Sequence, residues 1–133
     1  MNDQRTIRIA LDAMGSDVGP DVVVQGAVAA ARHMGDRLQI ILVGDERPIW
    51  RALEKEDAGL LPIFVVHAPQ RVEMGEKAQR AFRTKPNSSI AVCADLVRSG
   101  RAEALVSAGN TGAVVTTSLL SLGRMRGIKR PAI

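Results

Sequence analysis

The sequence predicts an α/β fold with three layers, in which a mainly parallel sheet lies between helices on both faces. Apolar runs of strand length alternate with longer helical patterns, and the connections between them are short. Runs such as "LQIILVG" are apolar at successive positions, which indicates strands covered on both faces. Strands of this kind form parallel sheets with right-handed helical crossovers. The sequence contains no repeat, low-complexity tract or linker, so we expect one domain over residues 1–133.

The first elements follow directly from this pattern. "TIRIALDA" (6–13) begins as a strand. Pro20 suits the first turn of a helix, where Asp21 is favourable beside the partial positive charge of the helix end. We expect this helix to reach about His33, and the apolar run 38–44 to form the second strand.

The middle of the chain adds a helix and a strand. Asp45 is a good N-cap for the second helix, and Gly59 is expected to end it. "PIFVVHA" (62–68) predicts the third strand. A basic segment, residues 71–85, follows this strand and has a partly helical pattern.

The last elements are a helix, a strand and a helix. Ser88 opens a helix that is expected to reach about Ser99. "EALVSAG" (103–109) predicts the fourth strand, and a helical pattern runs from about Asn110 to Met125.

Composition limits the possible partners. Aromatic residues make up only 2% of the chain, which argues against nucleic-acid readers that stack bases on aromatic platforms. The net charge of +4 favours acidic partners such as phosphate compounds, an acidic protein or an anionic membrane surface, although an ordinary solvated surface explains it equally well. Cys93 is expected to be a buried thiol in a reducing compartment. Because the chain has no apolar signal core and no membrane-spanning run, we expect a cytoplasmic protein.

Three loops after predicted strands carry residues that regular structure does not require. They are "DAMGSDVGP" (12–20), residues 67–89, and "SAGNTGA" (107–113). In parallel sheets, ligands bind beyond the carboxyl ends of the strands. We therefore expect these loops to form one binding site.

The loop 107–113 has two interpretations. Its Ser, Asn and Thr side chains and its two Gly residues can cradle an anion or a developing oxyanion at a helix N-terminus. The same residues are also standard helix caps and turn formers. The loop is neither a Walker A loop nor a GxGxxG fingerprint, so it does not indicate ATP or NAD. His33 and His67 lie far apart without a metal-binding spacing, and we expect no metal site.

The other two loops also leave alternatives open. Asp12, at the end of the first strand, favours a functional role, whereas Asp17 favours a structural one. The cations of residues 71–85 form either a solvated basic face or a patch that attracts phosphate or an acidic protein. Ser88 and Ser89 are either caps or further donors to an anion.

Five segments resemble, in order and spacing, the PlsX phosphate acyltransferases of bacterial phospholipid synthesis. They are "IALDAMGSDVGP", "ILVGD", "AFRTKPNSS", "GRAEALVSAGNTGA" and "GIKRPAI". The resemblance implies an enzyme that transfers a fatty acyl group from acyl carrier protein to inorganic phosphate, without a cofactor. It also implies a homodimer, peripheral membrane association, and an α/β/α fold related to phosphotransacetylases and to the isocitrate and isopropylmalate dehydrogenases.

The resemblance also implies roles for individual residues. Asp12 and Asn110 are the expected catalytic residues. The residues expected to bind phosphate, the thioester or the carrier protein are Gly15, Asp17, Arg80, Arg83, Lys85, Ser88, Ser89, Ser107, Gly109, Thr111 and Gly112.

The sequence departs from the family pattern at two places, and two alternative functions remain open. Ser16 stands where the family usually has a second Gly, and Glu76 and Ala78 stand where many members have an Asp-x-Pro pattern. Family members are much longer, so we expect the N-terminal part of a longer protein, with little activity from this chain alone. The alternatives are a non-catalytic module that binds an anion or the carrier protein, and a phosphotransacetylase-like enzyme that uses acyl-CoA.

Overall fold

The computed structural model describes residues 5–132, which form four strands and five α-helices. The strands are β1 (Ile7–Asp12), β2 (Leu38–Gly44), β3 (Ile63–His67) and β4 (Ala104–Ser107). The α-helices are α1 (Pro20–Met34), α2 (Glu46–Lys55), α3 (Ala78–Thr84), α4 (Ser89–Arg98) and α5 (Thr111–Leu122). A short 3-10 helix, Gly35–Arg37, joins α1 to β2. No helix within the described range has both the length and the apolar character needed to cross a membrane.

The four strands form one parallel sheet in the order β3-β2-β1-β4. Leu11 of β1 is paired with Leu42 of β2 on one side and with Val106 of β4 on the other. The chain therefore builds the sheet from β1 towards β3 and then returns to the opposite side of β1. This reversal makes the carboxyl ends of β1 and β4 a topological switch point, where α/β sheets bind ligands.

Two apolar clusters lie on opposite faces of the sheet, which confirms the predicted α/β fold. On one face, α1 and α2 pack on the sheet around Val24, Leu42 and Ile49. On the other face, α4 packs around Val43 and Cys93. Neighbouring residues of β2 thus enter different clusters, as expected for a strand covered on both faces. Burial raises the pKa of the Cys93 thiol well above its ordinary value, which agrees with the expected buried thiol.

Two helices end earlier than the sequence pattern predicts. α2 ends at Lys55 rather than near Gly59, because Asp57 adopts the left-handed conformation with a φ of 50°. α5 ends at Leu122 rather than at Met125, where Gly123 has a φ of 79°. Apolar periodicity continues beyond both points, so it did not mark these ends.

The basic segment contains one short helix, in agreement with its partly helical pattern. Only Ala78–Thr84 is helical, and Lys77 is the N-cap residue of this helix. Arg71 lies in the loop that precedes it. The cations of residues 71–85 therefore do not share a single helical face.

The beginnings of β1 and β4 are joined by a bidentate ion pair. Arg8 Nη2 donates to Glu103 Oε1 at 2.6 Å, and Arg8 Nε donates to Glu103 Oε2 at 3.2 Å. The backbone N–H of Arg8 also donates to Glu103 Oε2 at 2.7 Å. These bonds lower the pKa of Glu103 from 4.5 to about 2.

We expect the Arg8–Glu103 pair to make the folded state sensitive to acid. A carboxyl group whose pKa is depressed on folding stabilises the fold above its unfolded pKa, and this contribution is lost as the pH falls towards the folded pKa. The relevant window thus lies between pH 4.5 and about 2. In denaturant titrations across this window, Glu103→Gln should lose less stability than the unmodified chain. Asp21→Asn, which removes the exposed pair with Lys55, is the control and should follow the unmodified chain.

Candidate functional site

The switch point holds a buried carboxylate that is bonded to the neighbouring strand. Asp12 is only 3% exposed, and its register partner in β4 is Ser107. The Ser107 hydroxyl donates to Asp12 Oδ2 at 2.7 Å, and the N–H of Met14 donates to Asp12 Oδ1 at 3.0 Å. Ser107 Oγ in turn accepts the N–H of Gly109 at 3.1 Å. Asp12 thus fixes the loop that leads into α5 through Ser107.

The loops after β1 and β4 touch through two glycines. A Cβ atom on Gly15 would lie 2.9 Å from the Cα of Gly109 and 2.6 Å from Asp12 Oδ2. A Cβ atom on Gly109 would lie 2.9 Å from the Cα of Gly15. Real Cβ atoms do not approach other atoms so closely. These glycines are therefore needed for contact between the two loops, in addition to any contact with a ligand.

The N-terminus of α5 lies directly beyond this contact. Thr111 and Gly112 form its exposed first turn. The first N–H groups of a helix have no acceptor within the helix and carry partial positive charge. The structure thus brings the predicted cradle next to Asp12, as the sequence analysis expected. Whether the cradle binds substrate stays a prediction.

Asn110 joins α5 to the loop after β3. Its Oδ1 accepts the N–H of Ala113 at 3.0 Å, which makes it the N-cap residue of α5. Its Nδ2 faces the carbonyl oxygens of Glu73, Met74 and Glu76 at 3.1, 2.9 and 2.9 Å. This geometry favours the capping interpretation for the side chain, and its expected catalytic role stays a prediction. The sequence carried no signal for this connection because its partners are main-chain carbonyl groups.

We expect two substitutions of Asn110 to separate capping from loop attachment. Asn110→Ala removes both and should lower the free energy of unfolding by about 0.5–2 kcal/mol, the usual cost of losing an N-cap. Asn110→Asp keeps a cap oxygen for Ala113 but places a carboxylate against three carbonyl oxygens. Hydrogen exchange should therefore accelerate in residues 72–77 for both variants, while Asn110→Asp retains protection in α5.

The control for Asn110 is another capping residue. Asp45 caps α2 by accepting the N–H of Arg47 at 3.2 Å. Asp45→Ala should lower stability by a similar amount without changing exchange in residues 72–77. Unchanged exchange in that segment in both Asn110 variants would contradict the attachment.

The cations of the basic segment have different surroundings. Lys85 forms an ion pair with Glu76, and its Nζ also donates to the carbonyl of Arg71 at 2.9 Å. The pKa of Glu76 is lowered by the Lys85 hydrogen bond and by the N–H of Glu73. Lys85 therefore stabilises its own loop in this structure.

Two other predicted cations remain at the surface. Arg80 and Arg83 are exposed on α3, which packs against α5. The Cβ of Ala78, in the first turn of α3, lies 3.6 Å from the position that a Cβ on Gly112 would take. The start of α3 thus lies beside the start of α5.

Ser88 and Ser89 lie at the start of α4 and are almost fully buried. Ser88 caps the helix by accepting the N–H of Ala91 at 3.4 Å. The N–H of Ser89 donates to the carbonyl of Gln70 at 2.9 Å. The two residues are 2% and 1% exposed, so an anion reaches them only if the surrounding loop moves. Of the alternatives for Ser88, the structure favours the cap.

A small polar cleft of about 150 Å³ lies between the loop after β1 and the loop after β3. Ser16 and Asp17 line one side, and Arg71 and Glu73 line the other. Arg71 Nε donates to Glu73 Oε1 at 2.7 Å, so this guanidinium is already paired. Among residues 5–132 no cluster of three or more His, Cys, Asp or Glu side chains is arranged to hold a metal ion.

His67 and Met14 add detail that the sequence did not indicate. His67, at the end of β3, faces the start of α2, where its Nδ1 accepts the N–H of Glu46 at 3.4 Å. The Met14 side chain fills the space that a Cβ on Gly44 would occupy. Met14 thereby fixes the loop after β1 against β2.

The chain is similar in sequence to known proteins. A family model described as "Fatty acid synthesis protein" matches residues 7–133. The phosphate acyltransferase of Herpetosiphon aurantiacus is 51% identical over 127 residues, which are 96% of this chain and 34% of the relative. Phosphate acyltransferases of Pelotomaculum thermopropionicum and Gloeobacter violaceus are 50% and 47% identical over 96% and 98% of the chain, covering 36% and 37% of those relatives. The chain thus spans about a third of the length of the curated relatives it matches.

Proposed function

Because the chain belongs to the fatty acid synthesis protein family, we propose that it carries part of a site for fatty acyl transfer to inorganic phosphate. The donor in this proposal is acyl carrier protein, and the product is an acyl phosphate for phospholipid synthesis. The protein is then a cytoplasmic acyltransferase. Its homodimeric state and peripheral association with the inner face of the membrane rest on the family resemblance.

One observation supports the proposal most: the exposed first turn of α5 lies beside the buried Asp12–Ser107 pair at the switch point. Phosphate and the oxyanion of acyl transfer both need N–H donors in a fixed position. Thr111 and Gly112 can supply such donors. The contact between Gly15 and Gly109 keeps the two loops in register.

The reaction depends more on holding phosphate and the thioester in position than on a strong acid or base. A phosphate oxygen attacks the thioester carbonyl carbon, and the carbonyl oxygen becomes an oxyanion. When this intermediate collapses, the C–S bond breaks, the carrier thiolate leaves, and the proton lost by phosphate neutralises the thiolate directly or through water. Holding the two reactants in place is itself a large rate effect. The amides of α5 stabilise the charge, and Asp12 holds Ser107 and the loop in the required geometry.

Charge attraction would bring the carrier protein to the site. Acyl carrier protein is acidic, and the exposed Arg80 and Arg83 lie on the helix that packs against α5. Positive charge at this position increases the rate of encounter with an acidic partner.

A chimera tests the proposed function. Residues 1–133 of this chain replace the matched third of the Herpetosiphon aurantiacus relative, and acyl phosphate formation is measured with carrier-protein and CoA thioesters. The proposal expects turnover with the carrier-protein thioester. Arg80→Glu with Arg83→Glu should raise KM for that donor, whereas Arg101→Glu, at the opposite end of the sheet, should not. Faster turnover with acyl-CoA would support the phosphotransacetylase-like alternative, and phosphate binding without turnover would support the non-catalytic module.

A further inference from the structure

We propose that Glu76 is a positioning residue, which holds residues 71–77 against the Asn110 side chain and thereby fixes the first turn of α5. This inference rests on the proposed function, because that turn supplies the N–H donors for the substrate's anionic oxygens. From the sequence, Glu76 is only a departure from the family pattern and has no assigned role. In the structure, it connects α3 to α5 through contacts of its side chain and its main chain.

The Glu76 side chain ties residues 71–77 to the far end of α3. Its carboxylate accepts the N–H of Glu73 at 3.0 Å and forms the ion pair with Lys85. Lys85 is the C-cap residue of α3, and its Nζ also donates to the carbonyl of Arg71 at 2.9 Å. The Glu76 and Lys85 side chains are only 27% and 29% exposed, so solvent screens this pair less than it screens a fully exposed pair. The pair therefore restrains the chain on both sides of α3.

The main chain of Glu76 joins the same residues to α5. Its carbonyl oxygen lies 2.9 Å from Asn110 Nδ2 in a partly buried contact, whereas the contacts of this amide with Glu73 and Met74 are exposed. Asn110 in turn accepts the N–H of Ala113 in the first turn of α5. The side chain and the main chain of one residue thus link the end of α3 to the cap of α5.

Residues 71–77 depend on polar contacts to keep their position. The structure describes all of these residues, and none of them belongs to either apolar cluster of the sheet. A segment with few buried apolar contacts opens at a low free-energy cost. Loss of the Glu76 carboxylate should therefore release this segment, and the cap of α5 with it, without unfolding the sheet.

The test is amide hydrogen exchange in the chain, followed by NMR, for Glu76→Gln, which keeps the shape of the side chain and removes its charge. The readout is the N–H of Val114, which donates to the Asn110 carbonyl at 3.0 Å. Its exchange should accelerate by about tenfold, the effect expected when a hydrogen bond to a charged group is lost, while amides of β2 keep their protection. Glu54→Gln, which removes an exposed carboxylate from α2, is the control and should leave Val114 unchanged.

A double substitution tests whether the effect passes through Asn110. Asn110→Ala removes the contact between residues 71–77 and α5. In that background Glu76→Gln should add little to the exchange of Val114, because substitutions of residues that act on one another are not additive. Equal acceleration in both backgrounds, or unchanged exchange of Val114 in Glu76→Gln alone, overturns the proposal.

The chimera separates this inference from the proposed function. At a temperature at which denaturant titration shows Glu76→Gln to be fully folded, kcat for transfer to phosphate should fall by about tenfold, and Glu54→Gln should keep it. A role in stability alone would leave kcat unchanged under that condition, and such a result contradicts the positioning role. If the unmodified chimera transfers no acyl group but Val114 responds as expected, the proposed function fails and the connection from Glu76 to α5 stands.

Discussion

Replacing Asp12 with asparagine is expected to lower the rate of acyl transfer by about a hundredfold, the loss that a displacement of about 1 Å in the positioning groups can cause. Asparagine has the same shape but lacks the charge that orients the Ser107 hydroxyl. Its amide nitrogen would face Ser107 Oγ as a donor, so the hydroxyl proton must turn elsewhere. The bond from Gly109 to Ser107 Oγ then weakens, and the start of α5 loses its fixed position.

Stability provides a second measure of the Asp12 variants. Asp12→Ala leaves the partly buried N–H of Met14 and the Ser107 hydroxyl without their acceptor, which should lower the free energy of unfolding by about 1–3 kcal/mol. Asp12→Asn should cost less, because one acceptor remains. Transfer is measured in the chimera, and unfolding is measured in the chain itself by denaturant titration.

The matched control is Asp95→Asn, which removes an exposed carboxylate paired with Arg98 on α4. Neither the rate nor the stability should change appreciably, since exposed pairs contribute about 0–1 kcal/mol. Family-like rates in a folded Asp12→Asn chimera would show that the switch-point carboxylate has no part in the chemistry.

A large loss of both stability and transfer activity is also expected for Gly15→Ala. The new methyl group would meet Asp12 Oδ2 at 2.6 Å and the backbone of Gly109 at 2.9 Å. The backbone of Gly109 cannot turn away as a flexible side chain can, so the two loops must separate. Overpacking of this kind costs about 1–3 kcal/mol of stability. Because separation also moves Ser107 relative to Asp12, transfer should fall more than stability alone explains.

Gly59→Ala is the control for the glycine effect. Gly59 lies in the turn before β3, where a Cβ would meet nothing within 4 Å. Its replacement should be neutral or should stabilise the chain by up to about 1 kcal/mol. Equal melting curves for Gly15→Ala and Gly59→Ala would mean that the loops after β1 and β4 tolerate a wider spacing than their observed contact.

The sequence was sufficient to predict the architecture and to bring the predicted site loops to one end of the sheet. Apolar runs with both faces hydrophobic, as in β2, specify a parallel sheet, and polar loops after β1 and β4 specify the switch point. These features depend on local pattern and on general rules of connection. The predicted ends of α2 and α5 were less accurate, because single residues with positive φ, Asp57 and Gly123, follow the observed ends of these helices.

The sequence did not reveal which polar and charged side chains form hydrogen bonds or ion pairs within the protein. Asn110 faces carbonyl groups that lie 34 to 37 residues earlier, and Lys85 pairs with Glu76 from the opposite end of α3. Such partners are selected by the tertiary fold, so residue type alone left capping and ligand binding equally open. The same holds for Gly15 and Gly109, whose requirement for each other is steric and non-local.

The strand order has a consequence for the time at which the site forms. Asp12 is synthesised early, but its hydrogen-bond partner Ser107 follows 95 residues later. The candidate site can therefore form only after loop closure over most of the chain. During synthesis, β1, β2 and β3 can associate while β1 still lacks its second neighbour. A ligand held between the loops after β1 and β4 would therefore stabilise the attachment of β4 and α5, which are synthesised last. It should slow the opening of β4 and α5 far more than that of β2 and β3.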